Sequence, residues 1–177
     1  MKFFIYVLIS VVVLTSCTDE KTELLSEIKT AENTLFEKSQ QLKLGEKLSP
    51  KLDQALMDAL FNFYAKFPED KHAPECLDKL HMKYSGAGNY EQAAMYGGIL
   101  LADYTEYVNR AMILESLANI YDMNVFPRDT SKVRLYSEIL LKENPDLPVE
   151  KVDDIKYRLE NIRLTIGELI LKRIAEE

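Results

Sequence analysis

Along nearly the whole chain apolar residues recur three and four positions apart, and nowhere do they alternate over the length of a strand. That period gathers them on one side of a helix but scatters them over both faces of a sheet, so it confines the fold to the all-α class. A first helical run is expected over residues 20–44, with Leu24, Leu25, Ile28, Ala31, Leu35 and Phe36 on one side and Gly45 permitting the reversal that ends it. Ser49-Pro50 opens a second helix, with serine as N-cap and proline at the first helical position, running through Leu56, Leu60 and Phe63 to Phe67-Pro68. Further starts follow at short intervals: Pro74, which fits only a first turn, then Asn89 with Gln92 as a reciprocal cap, Asp129 after Pro127, Pro148 with Glu150, and Thr165-Ile166-Gly167-Glu168 as a capping box. Helices of this kind joined by short connections predict antiparallel hairpins.

The hairpins repeat. Leu77, Leu80, Tyr84, Ala93, Leu100 and Thr105 align with Leu114, Leu117, Tyr121, Val133, Leu140 and Pro145 at an offset of 37 that becomes 40 after the loop holding Met123 and Pro127. An insertion in a turn costs little, so the unit survives it. The spacing resembles the tetratricopeptide repeat, a helix-turn-helix unit of about 34 residues. Leu77, Leu80, Tyr84 and Ala93 keep that pattern in the first unit, and Leu114, Leu117, Ala118, Tyr121 and Pro145 keep it in the second. His81, Leu100 and Leu140 depart from it where small residues are preferred, and Thr105 stands in the proline place. Residues 48–175, with segments such as Asn89-Tyr90-Glu91-Gln92-Ala93, are similar to the repeat lipoproteins of Gram-negative envelopes, among them the β-barrel assembly lipoprotein and the Tol-Pal-associated coordinator family. The resemblance implies a right-handed helical solenoid of about eight helices. It further implies a concave face lined by the first helix of each hairpin, with Glu75, Asp78, Met82, Met112, Glu115, Asn119 and Asp122 turned toward a protein partner, an extended or helical segment carrying basic and apolar residues.

The amino-terminal segment has its own signature. Lys2 precedes an apolar run over residues 3–14, and Leu14-Thr15-Ser16-Cys17 resembles a bacterial lipobox. Twelve residues make roughly 18 Å of helix against a hydrocarbon core of about 30 Å, too short for a spanning anchor. The resemblance implies a signal peptide over residues 1–16, a lipidated Cys17 with tether and helix over residues 17–47, and a repeat domain over residues 48–177. Several acyl chains on one residue anchor durably. Thr18 favours the outer membrane, while Asp19-Glu20 resembles the acidic export signal of surface lipoproteins, so periplasmic face and cell surface both stay open.

Charge and reactive residues narrow the function. A net charge of −7 disfavours nucleic acid and polybasic adhesion to lipid. With Cys17 lipidated, Cys76 is the only thiol left and is expected to be a small buried hydrophobe. His72 and His81 stand nine apart and point in different directions on any one helix, so no metal site is expected, and no cofactor. Asp153 and Asp154 diverge by about 100° on a helix, and Gly86-Ala87-Gly88 reads as a turn rather than a phosphate loop. Gly97-Gly98 inside a helix costs about 1–2 kcal/mol relative to alanine, offset by close helix approach at Gly97 or retained as a hinge. Phe61, Phe63 and Phe67 are expected in the core rather than in a ligand patch. The expectation is therefore not an enzyme but a lipid-anchored scaffold, an accessory of outer-membrane assembly or maintenance. The alternative is a surface lipoprotein that binds a small ligand in a concave pocket.

Overall fold

A computed structural model describes residues 2–176, with side chains from Asp19 onward; the side chains of the expected signal segment and of Cys17 lie outside the described residues. Among the described residues the chain is all helical. Eight α-helices run in order: α1 (Lys2–Gln40), α2 (Pro50–Lys66), α3 (Ala73–Gly86), α4 (Tyr90–Asp103), α5 (Arg110–Asn119), α6 (Thr130–Glu143), α7 (Val149–Glu160) and α8 (Ile166–Glu176), and a π-helical turn (Ile120–Asn124) follows α5. Among the described residues no helix is long and apolar enough to cross a membrane. The chain divides into two compact units, one ending at Lys83 and one beginning at Tyr84.

In the N-terminal unit, Leu24, Ile28 and Leu35 of α1 are buried, as are Leu56, Ala59, Leu60 and Phe63 of α2. Full burial of such side chains contributes about 2 kcal/mol each, which holds the two helices together. Helices α1 and α2 pack on one another, and the compact unit they share ends at Lys83. Ion pairs cross the same unit: Lys21 with Asp70 at 2.6 Å, Lys79 with Glu32 at 2.6 Å, and Lys83 with Asp53 at 2.7 Å. The hydrogen bond from Lys21 holds the Asp70 carboxyl below its ordinary range, against a smaller opposing effect of burial. Ser49 and Pro50 start α2 as expected, but the serine side chain makes no capping hydrogen bond, and the helix begins on proline geometry alone. Of the three phenylalanines only Phe63 is fully buried, while Phe61 stays 47 % exposed.

Local geometry in the C-terminal unit recurs at the offsets of the sequence pattern. Tyr84 stacks on Tyr96 with ring centroids 5.4 Å apart, and Tyr121 stacks on Tyr136 at 5.9 Å. Asn89 caps α4 through the Gln92 amide and Asp129 caps α6 through the Lys132 amide. Helices α4 and α6 end in one conformation, Tyr104 at φ −128°, ψ 72° and Asn144 at φ −127°, ψ 72°, each donating its N–H to the carbonyl four residues back. Phe67, at the end of α2, closes its own helix on Phe63 in nearly the same way, at φ −129°, ψ 57°. The positions that share this role, Phe63, Leu100 and Leu140, are all buried, as are Leu77, Leu80, Leu114 and Leu117. Gly97 is buried, in keeping with close approach, whereas a Cβ on Gly98 would meet open space. Helices α7 and α8 contribute no buried residue.

Candidate partner-binding cleft

The C-terminal unit contains a cleft of about 450 Å³ between α5, α6 and α7. Ala118, Val133, Leu140 and Ile155 give it an apolar floor, and Glu115, Asn119, Glu150 and Asp154 stand on its walls. Helix α5 brings Glu115 and Asn119 to one wall because they lie four residues apart on one face. Lys151 of α7 reaches across and donates to Glu115 at 2.5 Å.

One end of the cleft is closed by charge. Asp122, carried by the π-helical turn, is 9 % exposed and sits against two arginines. Arg158 of α7 grips it in fork geometry, Nε donating to Oδ2 and Nη2 to Oδ1, both at 2.6 Å. Arg128 Nε lies 2.7 Å from Oδ1 but off the hydrogen-bond axis, so it contributes attraction without an aligned acceptor for its proton. The remaining guanidinium donors go to backbone. Arg128 donates to the carbonyls of Leu164, at 2.8 Å, and Ile162, while Arg158 donates to Asn161 and Leu164, both at 3.0 Å. The cluster thus ties the turn between α7 and α8 to the turn between α5 and α6.

The seven residues expected to face a partner divide by burial. Glu115, Asn119 and Asp122 line the cleft, but Asp122 spends its carboxylate on the arginines and presents nothing outward. Met112, on the same helix as Glu115, is 66 % exposed without lining the cleft. In the N-terminal unit, Met82 is 62 % exposed, Glu75 is exposed and pairs with Lys79 at 2.7 Å, and Asp78 is buried at 7 %. Two of the four acids expected on the open face are therefore drawn inside, Asp78 by its place among the buried residues of α3 and Asp122 by its arginine partners. Burial pulls the Lys79 ammonium down, yet the hydrogen bonds it donates to Glu32 and Glu75 outweigh it and its pKa is raised.

Sequence reasoning missed Arg128, Arg158 and Lys151. The signal available for Arg158 was its register: counted back by 40 and then 37, the same place holds Ala118 and His81, both buried. A cation where the pattern asks for something small needs an internal anion, and Asp122 supplies it. Cys76 is buried at 4 %, and burial pushes its thiol up to about 12, so it is an unreactive packing residue. Comparison with known proteins finds no matching family model, no similar curated protein and no similar solved structure.

Proposed function

We propose that the protein is a lipid-anchored scaffold of the bacterial cell envelope, in which tetratricopeptide-like hairpins form a right-handed solenoid that binds a segment of another protein. Support for the repeat comes from one observation above all: stacked tyrosines, helix caps and terminal dihedrals recur at the 37- and 40-residue offsets of the sequence. Support for binding comes from the open cleft, whose apolar floor suits an aliphatic or aromatic side chain. Glu150 on its wall suits a basic group or a backbone N–H donor, and a partner's cation would compete with Lys151 for Glu115 and with Arg173 for Asp154. Lipidation at Cys17 rests on the lipobox-like run, and placement at the outer membrane rests on Thr18 behind it. A role in outer-membrane assembly or maintenance follows from that anchor joined to a binding surface with no charge suited to nucleic acid.

The test is crosslinking in living cells. A photoreactive residue at Asn119 is expected to trap one defined partner, and the same residue at Leu135 of α6 is expected to trap none. Equal adduct patterns at the two positions overturn the binding proposal. Mass spectrometry of the membrane-extracted chain tests the anchor separately, an unmodified Cys17 or a retained Met1 overturning it.

A further inference from the structure

In the N-terminal unit the chain is held in place almost from its first described side chains. Leu24 and Ile28 of α1 are buried, each 7 % exposed, and one turn earlier Glu20 and Lys21 are already paired. Glu20 accepts from Lys66 at the end of α2, and Lys21 donates to Asp70, in the turn before α3, at 2.6 Å. Asp70 also closes that turn on itself. Its other carboxylate oxygen accepts from the His72 N–H at 2.9 Å, its own N–H donates to the Phe67 carbonyl at 3.0 Å, and its carbonyl accepts from Ala73 at 2.9 Å. Exposed ion pairs alone hold little, but the buried Leu24 and Ile28 behind them fix α1 on the unit. Residues 20–21, the end of α2 and the turn over residues 67–72 therefore form one bonded edge.

Three steps of chain lead from Cys17 to Glu20, and three residues reach at most about 11 Å however they are arranged. We infer that this edge rests on the phospholipid headgroups of the membrane that holds the Cys17 acyl chains, so that the N-terminal unit stands upright on its α2–α3 turn instead of swinging from a long tether. The inference rests on the lipid-anchor reading. Burial of the acyl chains seats a lipidated cysteine at the membrane surface, and the short connection then keeps the edge there. So short a link gives a high effective concentration, and contact follows from connectivity rather than from affinity. The edge accordingly needs no apolar wedge. Pro68, Glu69 and Lys71 are its exposed turn residues. Glu69 and Lys71 carry opposite charges, which suits the ammonium and phosphate of a zwitterionic headgroup and gives no net pull toward anionic lipid. Lys51, at the other end of α2, stands fifteen residues before Lys66, roughly 22 Å farther along the helix.

The experiment uses the full-length chain, processed in cells and reconstituted into vesicles of phosphatidylethanolamine and phosphatidylglycerol that carry a headgroup-spin-labelled phosphatidylcholine. A fluorophore is attached at Lys71→Cys or at Lys51→Cys, both exposed positions, and Cys76 takes no label because it is buried. Quenching at residue 71 is expected to exceed that at residue 51 several-fold. A flexible Gly-Ser linker of about twelve residues, spanning roughly 20 Å, is then placed between Thr18 and Asp19. It is expected to lower quenching at residue 71 to the level at residue 51 and to leave the melting temperature unchanged, since it lies outside the packed residues. Equal quenching at the two positions of the parent chain overturns the proposal, because the unit then lies flat or hangs free. Quenching at residue 71 that survives the linker overturns it too, because the turn then holds lipid by its own affinity. Mass spectrometry of the same sample keeps the two readings apart. A lipidated Cys17 with residue 71 unquenched overturns the upright stance alone, whereas an unmodified Cys17 overturns both.

Discussion

Two turns of the C-terminal unit begin alike and end differently. Each leaves a helix at a tyrosine, Tyr84 or Tyr121, stacked on a tyrosine of the next helix, and each delivers an N-cap acceptor, Asn89 or Asp129, whose N–H returns to that tyrosine's carbonyl at 2.9 or 3.3 Å. Between those points the first turn takes the short route through Gly88 at φ +76°, a conformation that favours glycine. The second takes three more residues, passes through the π-helical turn and carries Asp122 and Arg128, where the first has Ser85 and Gly88. Flanking geometry is thus tolerant of insertion, and the inserted length is used to reach a distant part of the chain. π-Helical insertions often mark such specialised places in a helix.

The largest effect is expected at Asp122. Replacing it with alanine leaves Arg158 and Arg128 partly buried around no anion, a loss of about 3–5 kcal/mol. Ser85→Ala, the same position in the short turn, is expected to change stability by less than about 0.5 kcal/mol. Urea midpoints of the two variants check the contrast, and equal shifts break it. A smaller loss is expected when the cluster is removed whole. Replacing residues 122–128 with Ser-Gly-Ala-Gly, the short turn's own sequence, together with Arg158→Leu removes every charge at once, and charge-free replacements of buried pairs are often close to neutral. That variant is expected to be more stable than Asp122→Ala. Its residues 161–165 should exchange amide hydrogens faster, because the arginine bonds to those carbonyls are gone.

Next in size are the two caps. Asn89→Ala and Asp129→Ala are each expected to cost about 1 kcal/mol, and to cost alike, since each side chain accepts one bond from the third residue beyond it. These caps show how much of the molecule was legible in the sequence. Capping residues act on backbone a few positions away, so Asn89, Asp129 and the Thr165–Glu168 box, which forms in both directions at 2.7 and 3.3 Å, could be read locally. The buried leucines were legible for the same reason, because helical period alone assigns their side. Asp122 was not. Its partner Arg158 lies 36 positions on, and from spacing alone a carboxylate held by internal arginines reads the same as one offered to a partner. Nor does spacing show that Asp78 is buried in α3, and the cleft itself needs the packing of α7 to exist.

The smallest expected difference concerns alkaline pH. In the long turn Lys132 donates to the Tyr121 hydroxyl at 2.9 Å and lies over that ring, and the hydrogen bond raises its pKa above the ordinary lysine value of 10.5. Gln92 holds the equivalent place after the short turn and cannot titrate. A cation whose pKa is higher folded than unfolded stabilises the fold fully below the unfolded value, and loses that contribution as pH rises through the folded one. The difference in stability between the parent chain and Lys132→Met is therefore expected to be constant up to about pH 10 and to shrink above it. Solvent screens this exposed group, which makes the effect the least of those expected here. Tyr136 also weakens the fold at high pH, since burial raises its pKa and only the unfolded chain ionises freely near 10.0, and because Lys132 opposes that rise Tyr136 does not cancel fully in the difference. A difference that stays flat to pH 11, or grows, would show that Lys132 draws nothing from Tyr121, and the two turns would then differ only through Asp122 and Arg128.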